Sequence, residues 1–378
     1  MQRWLAGIIA FISSVCGIFY LVLTSSSIPD TSQLTLEAPL LNLYHWHQMI
    51  PQDILDDFER ETGIHVHFDM YDSNETVETK MITGHSGYDV VGPSAFPYLA
   101  RQIPAGIYLP LDHKALSNLH HLDPQVMKAL SKADPENRYA LPFLWGLVGF
   151  SYDEDKVRAL APHAPLDSWA MLMDPHILQT FAKCGVTFLE EVSDVFPPMY
   201  LYLGLDPNSL KKEDLKNATQ ALEKIRPFVK RFETVRAPND LLAGELCLIM
   251  QWPGDMERAK ALYHNQDRAK KIKTVIPKEG TVMWIDCLAI PKDAPHPKNA
   301  HKFLNFLLRP DIIARVTNQT YFANAIPASL SYVNESIRHN PTVFPTKEMR
   351  KRIYTNTPLP ARLHRLLNRA LIKVRTGR

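Results

Sequence analysis

A chain of 378 residues with 46% hydrophobic content can bury one large core or two medium ones, and its length favours two domains. The formal net charge of +2 gives no reason to expect a polyanionic partner. Lys270-Lys271-Ile272-Lys273 and the tail from Arg369 to Arg378 read as solvated faces, because no aromatic stacking platform is interleaved with them as nucleic-acid binding would need.

At the N-terminus Arg3 precedes an apolar run from Trp4 to Leu23, followed by small polar residues Thr24 to Ser27. Residues 1–27 therefore read either as a secretory signal cleaved near Thr24 to Ser26 or as a retained anchor, the run being about the ~20 residues that span a bilayer. Cys16 is poorly placed for lipidation after Ser13-Ser14-Val15. Each reading sends the rest of the chain out of the cytoplasm. Cys184, Cys247 and Cys287 remain beyond that segment, and an oxidising compartment allows one disulfide among them, with spacing alone unable to choose the pair.

From Leu40 the pattern alternates strand and helix. Leu41 to Tyr44 predicts a strand, Pro51 to Thr62 a helix with Ile54, Leu55 and Phe58 on one face, and Gly63 its stop. Val66 to Met70 and Tyr88 to Val91 predict strands around a helix over Glu75 to Thr83, an alternation that implies a parallel α/β sheet. The apolar passage Tyr139 to Tyr152 reads as a crossing between domains. Beyond it come helices around Asp167 to Met173, Asp194 to Leu203 and Lys212 to Ile225, and strands from Cys184 and over Leu246 to Trp252. A helix runs on from Met256, strand pattern resumes around Lys273 to Pro291, and Pro297 to Leu308 is helical.

Three segments of this frame place a tryptophan beside a polar or acidic group: Trp46-His47-Gln48, Trp252-Pro253-Gly254-Asp255 and Trp284-Ile285-Asp286. A ring face and a carboxylate together replace the hydration of an ammonium group, so the combination suits a buried organic cation. In Trp284-Ile285-Asp286 the spacing of two points both side chains to one face of a strand. Asp286 interrupts an apolar run, where an unpaired charge costs several kcal/mol; either an internal Arg or Lys answers it or a ligand cation does. Asp255 follows a strand and Pro-Gly, which suits a helix N-cap and also the loop position where α/β ligands bind. Trp252 is equally consistent with core packing.

Asp194 is positioned to cap a helix, and Glu190 and Glu191 read as solvated. His45 and His47 have the spacing of some metal pairs but lack a third ligand. Tyr321-Phe322-Ala323-Asn324-Ala325 reads as a second crossing with an aromatic facing the cleft, core packing being its alternative. No Gly-x-Ser-x-Gly elbow, phosphate loop or dinucleotide fingerprint is present. Neither Cys-x-x-Cys nor His-Glu-x-x-His occurs, which leaves little ground for zinc. The chain reads as a binding protein rather than an enzyme, with no cofactor expected. Asp255 and Asp286 as a glycosidase pair is the weaker enzyme reading, decided by their separation.

At these residues the chain resembles the polyamine-binding periplasmic proteins of bacterial ABC importers, the putrescine and spermidine receptors. The likeness runs through Leu43-Tyr44-His45-Trp46, Tyr71-Asp72-Ser73-Asn74-Glu75, Pro93-Ser94, Trp252-Pro253-Gly254-Asp255, Trp284-Ile285-Asp286, Phe303 to Pro310 and Tyr321 to Ala325, and is nearest to the putrescine receptors. It implies a two-lobed type II periplasmic binding protein with two discontinuous α/β domains, 40–144 with 270–322 and 145–269 with 323–378, and a ligand cleft between them. It implies a cleft walled by Trp46, Trp252, Trp284 and Phe322, ammonium groups on Asp255 and Asp286, and Asp194 and Ser94 as further polar contacts. His47 and Gln48 stand where the family often carries a polar, acidic triplet, and Phe322 stands where a tyrosine hydroxyl is expected, which puts the preferred polyamine in question. It also implies a Cys184–Cys247 disulfide with Cys287 left free and buried, a monomer in the periplasm, and a membrane permease as partner. The alternatives are an anchored polyamine-sensing ectodomain, or a receptor retuned to another cation or to a metal through His45 or His47.

Overall fold

The computed structural model describes residues 37–377 apart from residue 266. The expected signal or anchor over residues 1–27, with Cys16, lies outside the described residues. Among the described residues no helix is long and apolar enough to cross a membrane.

Among the described residues, twelve strands form two sheets. The first contains β1 (Leu40–Trp46), β2 (His65–Tyr71), β3 (Val90–Val91), β4 (Ala140–Leu147), β10 (Thr281–Ala289), β11 (Ala323–Asn324) and β12 (Ile353–Thr355), in the order β11-β4-β10-β3-β1-β2 with β12 paired to β10. The second contains β5 (Gly149–Asp153), β6 (Val186–Phe188), β7 (Arg231–Phe232), β8 (Leu248–Gln251) and β9 (Ile272–Val275), in the order β7-β6-β8-β5-β9.

Strands β1, β2 and β3 run parallel because a helix connects each to the next. The first of these, Gln52–Thr62, buries Ile54, Leu55 and Phe58 and ends at Gly63, whose φ of 70° suits glycine and whose N–H returns to the Glu59 carbonyl at 2.8 Å. A wholly parallel sheet is not what forms, however. β10 is antiparallel to β3 and β4, and β5 is antiparallel to β8 and β9, because the segments β4–β5 and β9–β10 pass from one sheet to the other and enter in the opposite direction.

Each sheet carries its own core. Leu147 and Met283 belong to the first and Val148 and Val282 to the second, so the chain changes core within one residue step at both crossings. A third passage follows β12, after which helix Ala361–Thr376 buries Leu363, Leu367, Leu371 and Val374 in the second core. Two segments pair differently from expectation. β9, in the range assigned with the first lobe, hydrogen-bonds β5 in the second sheet, while β11 pairs β4 in the first, so Tyr321 to Ala325 is no crossing. The Cys184–Cys247 disulfide, Cα atoms 5.7 Å apart, ties the entries to β6 and β8, and Cys287 is free and buried.

Candidate functional site

The two tryptophan segments meet where the sheets adjoin. Trp284 and Asp286 lie on β10, and Trp252 follows β8 as the N-cap of helix Pro253–Leu262. The Trp252 and Trp284 rings are 6.1 Å apart, and the Phe322 ring stands edge-on to Trp284 at 4.8 Å and 84°. Both indoles pack against both cores, so the rings form one aromatic wall at the junction.

Asp286 is 8% exposed and has no cationic side chain paired with it among the described residues. Its partner is Ser94, which bridges to β10 beside it and donates its hydroxyl to Oδ1 at 2.6 Å. Asn74 sets the direction of that bond: its Nδ2 donates to Ser94 Oγ and its Oδ1 accepts from Ser94 N, both at 3.1 Å. With Oγ already accepting, the Ser94 proton is free to point at the carboxylate. Burial nevertheless pushes the Asp286 carboxyl up to about 7, only partly opposed by Ser94.

Asp194 does not cap its helix. It lies in the first turn of Val192–Tyr202, with Glu191 in the capping position, and is buried. Burial, then the charge of Glu191 and more weakly that of Asp286, raises its carboxyl to about 8. The Trp252 indole N–H faces it and opposes that rise, but stops short of hydrogen-bond geometry. Asp255 is likewise a first-turn residue rather than a cap. It alone of the three aspartates has an internal cation, Arg258 Nη2 at 3.2 Å, and 18% of its side chain stays exposed. Burial still moves it up to about 6, with Arg258 pulling down.

Glu191 differs from its sequence reading: it is half-buried, and burial together with Glu75 and Glu190 raises it to about 7 against the pull of Arg375 and Arg101. Glu75 reaches it from the helix Asn74–Thr83 of the first sheet and accepts the Tyr98 hydroxyl. Glu190 is also half-buried and accepts from Arg375 at 2.6 Å.

The first tryptophan segment is only loosely joined to this group. Trp46 packs on Tyr71 at 4.8 Å, and Tyr71, whose hydroxyl donates to the Gly92 carbonyl, feels the Asp286 charge. His47 and Gln48 are exposed in the turn after β1, Gln48 with a φ of 57°. His45 is wholly buried against Phe143, held neutral by burial that lowers it to about 3, so it shares no site with His47. No group of three His, Cys, Asp or Glu among the described residues could hold a metal ion.

This aromatic and acidic junction belongs to a binding fold. The model of the bacterial extracellular solute-binding proteins matches residues 53–345, and the chain belongs to that family. Its similar relatives are the putrescine-binding periplasmic protein PotF of Escherichia coli, 36% identical over 100% of this chain and 99% of that one, and the putrescine-binding periplasmic protein SpuD of Pseudomonas aeruginosa, 39% identical over 90% and 92%. In architecture it is similar to the spermidine/putrescine substrate-binding protein PotD of Streptococcus pneumoniae, with a TM-score of 0.76 over 90% of this chain and 99% of that one at 20% identity.

Proposed function

We propose that the protein captures a polyamine, putrescine or spermidine, outside the cytoplasm and hands it to an ABC permease. One observation carries this reading: Asp286 shares β10 with Trp284 and Asp194 faces the Trp252 indole, Glu191 adds its charge beside Asp194, Asp255 follows Trp252 in the first turn of its helix, and Arg258 is the one cation directly bonded to any of these four acids among the described residues. Such a site offers more acids than cations, together with ring faces, which is the complement of an alkyl chain ending in ammonium groups. Methylenes laid against the rings add about 0.8 kcal/mol each on burial. The names of the relatives agree.

Residues up to Leu147 with those from Met283 to the third passage form one lobe in this reading, and Val148 to Val282 with the terminal helix the other. The three passages act as hinges, and ligand favours closure because Asp286 and Phe322 come from one lobe and Asp194, Trp252 and Asp255 from the other. The mature protein works as a periplasmic monomer. Calorimetric titration with putrescine, cadaverine, spermidine and spermine tests the reading. Binding near micromolar, about 8 kcal/mol, by at least one of them is expected; no heat from any, with folded protein, would remove the assignment.

A further inference from the structure

Trp284 pairs directly across the antiparallel ladder with Gly146 of β4. The indole lies over that glycine: a methyl group placed at Gly146 would stand 2.7 Å from Cε2 and closer still to Cζ2. The third nearest atom, Nε1 at 3.1 Å, belongs to the same indole, and the Gly146 backbone is not in the left-handed region, so the strand itself would accept alanine. Glycine in a strand interior weakens the strand unless something must approach the backbone closely, and here that something is the ring. A second glycine shows the same relation to the same wall. A methyl at Gly254 would overlap the Phe322 ring and come within 2.7 Å of the Tyr321 carbonyl oxygen.

We propose that Gly146 is a positioning residue for ligand capture: its missing side chain lets the Trp284 ring settle onto β4, which sets the position of the aromatic wall that Trp284 forms with Trp252 and Phe322. Any side chain at position 146 lifts the ring off the strand. Trp252 stands 6.1 Å away and Phe322 4.8 Å away, so a ring lifted from β4 must crowd one or break its contact with the other. Either change alters the surface met by the ligand's methylenes without touching a carboxylate. The inference rests on the polyamine reading for its ligand, but the seating of the ring can be observed without one.

The test is a cycle of Gly146→Ala, Trp284→Phe and the double variant, titrated with putrescine and spermidine. Gly146→Ala is expected to weaken binding about tenfold in the wild-type background, the usual scale of an overpacked contact. In the Trp284→Phe background, where the benzo edge that meets the new methyl is gone, it should change Kd less than about twofold. Near-UV circular dichroism of the ligand-free protein should change on Gly146→Ala in the first background and not in the second. Unchanged affinity in Gly146→Ala, or the same loss in both backgrounds, would overturn the proposal. Should the wild type bind no polyamine, the ligand assignment falls, and the circular dichroism pair alone then decides whether Gly146 seats the ring.

Discussion

Ser94 donates its hydroxyl to Asp286 over 2.6 Å, linking the segment after β3 to the strand that carries Trp284. One neutral donor is a small answer to a buried carboxylate, and the remaining acceptor capacity is what a ligand cation would use. Asp286→Asn keeps the shape and removes the charge. It is expected to weaken polyamine binding by about 3 kcal/mol or more, over a hundredfold in Kd, while the ligand-free protein melts no lower than wild type. Titration and a melting curve on the same variant check both halves.

Acids held at about 6, 7, 7 and 8 at Asp255, Asp286, Glu191 and Asp194 retain protons that a bound ammonium would displace. The complex then holds fewer protons than the free protein, so affinity should rise with pH between roughly 5 and 8. Calorimetry in two buffers of different ionisation enthalpy measures the protons released per ligand; identical heats in both would contradict the coupling.

The same groups set the stability of the empty protein in the opposite sense. Each lies above its unfolded value of about 4, so the native state binds more protons than the unfolded chain between that pH and its own pKa. Stability contributed by these acids is complete below about pH 4 and is lost as pH rises through 6 to 8. The ligand-free melting temperature should therefore decline over that interval. Asp194→Asn should flatten the decline, a comparison that differential scanning calorimetry makes directly.

Gln48 is exposed and has a left-handed φ of 57°, a conformation aspartate tolerates. Gln48→Asp would add an acid at the rim beside Trp46. Because the site is solvated, the gain should be modest, about 0.2 to 1 kcal/mol, and should fade as salt is raised. Kd measured at two ionic strengths tests it.

The disulfide closes a separation of 63 residues behind β6 and β8. Serine at both Cys184 and Cys247 is expected to cost about 2 to 4 kcal/mol of stability. Polyamine affinity should stay the same, because neither sulfur touches the aromatic wall. Chemical denaturation and titration of the double variant separate the two effects.

Much of this site was visible in the chain. Asp286 stood out because a charge inside Val282 to Pro291 needs an explanation, and its spacing from Trp284 gave the shared face. Asp194 reads as a cap, and Asp255 as a cap or a residue of a ligand-binding loop, since local sequence cannot distinguish a cap from a first-turn acid; the structure puts Glu191 and Trp252 in the capping positions. Glu191 read as solvated because its neighbour Glu190 and its helix end look like surface, whereas Glu75, more than a hundred residues earlier, is among the groups that crowd it. The antiparallel passage of β4 and β10 was also hidden. Strand direction across two sheets is a property of where the chain crosses, and Tyr321 to Ala325, which reads as a crossing, instead turns at Tyr321, with a φ of 61°, and pairs β4 through Ala323 and Asn324.

The ion pair between Arg258 and Asp255 makes the two acids unlike. A guest at Asp286 would meet a carboxylate supported only by a hydroxyl, whereas at Asp255 it would join an arginine already in place. Even a symmetric diamine spanning both would acquire two inequivalent ends, which isotope-labelled ligand would display as separate resonances for its terminal methylenes. A triamine with unequal spacers would then have two distinguishable orientations of unequal energy.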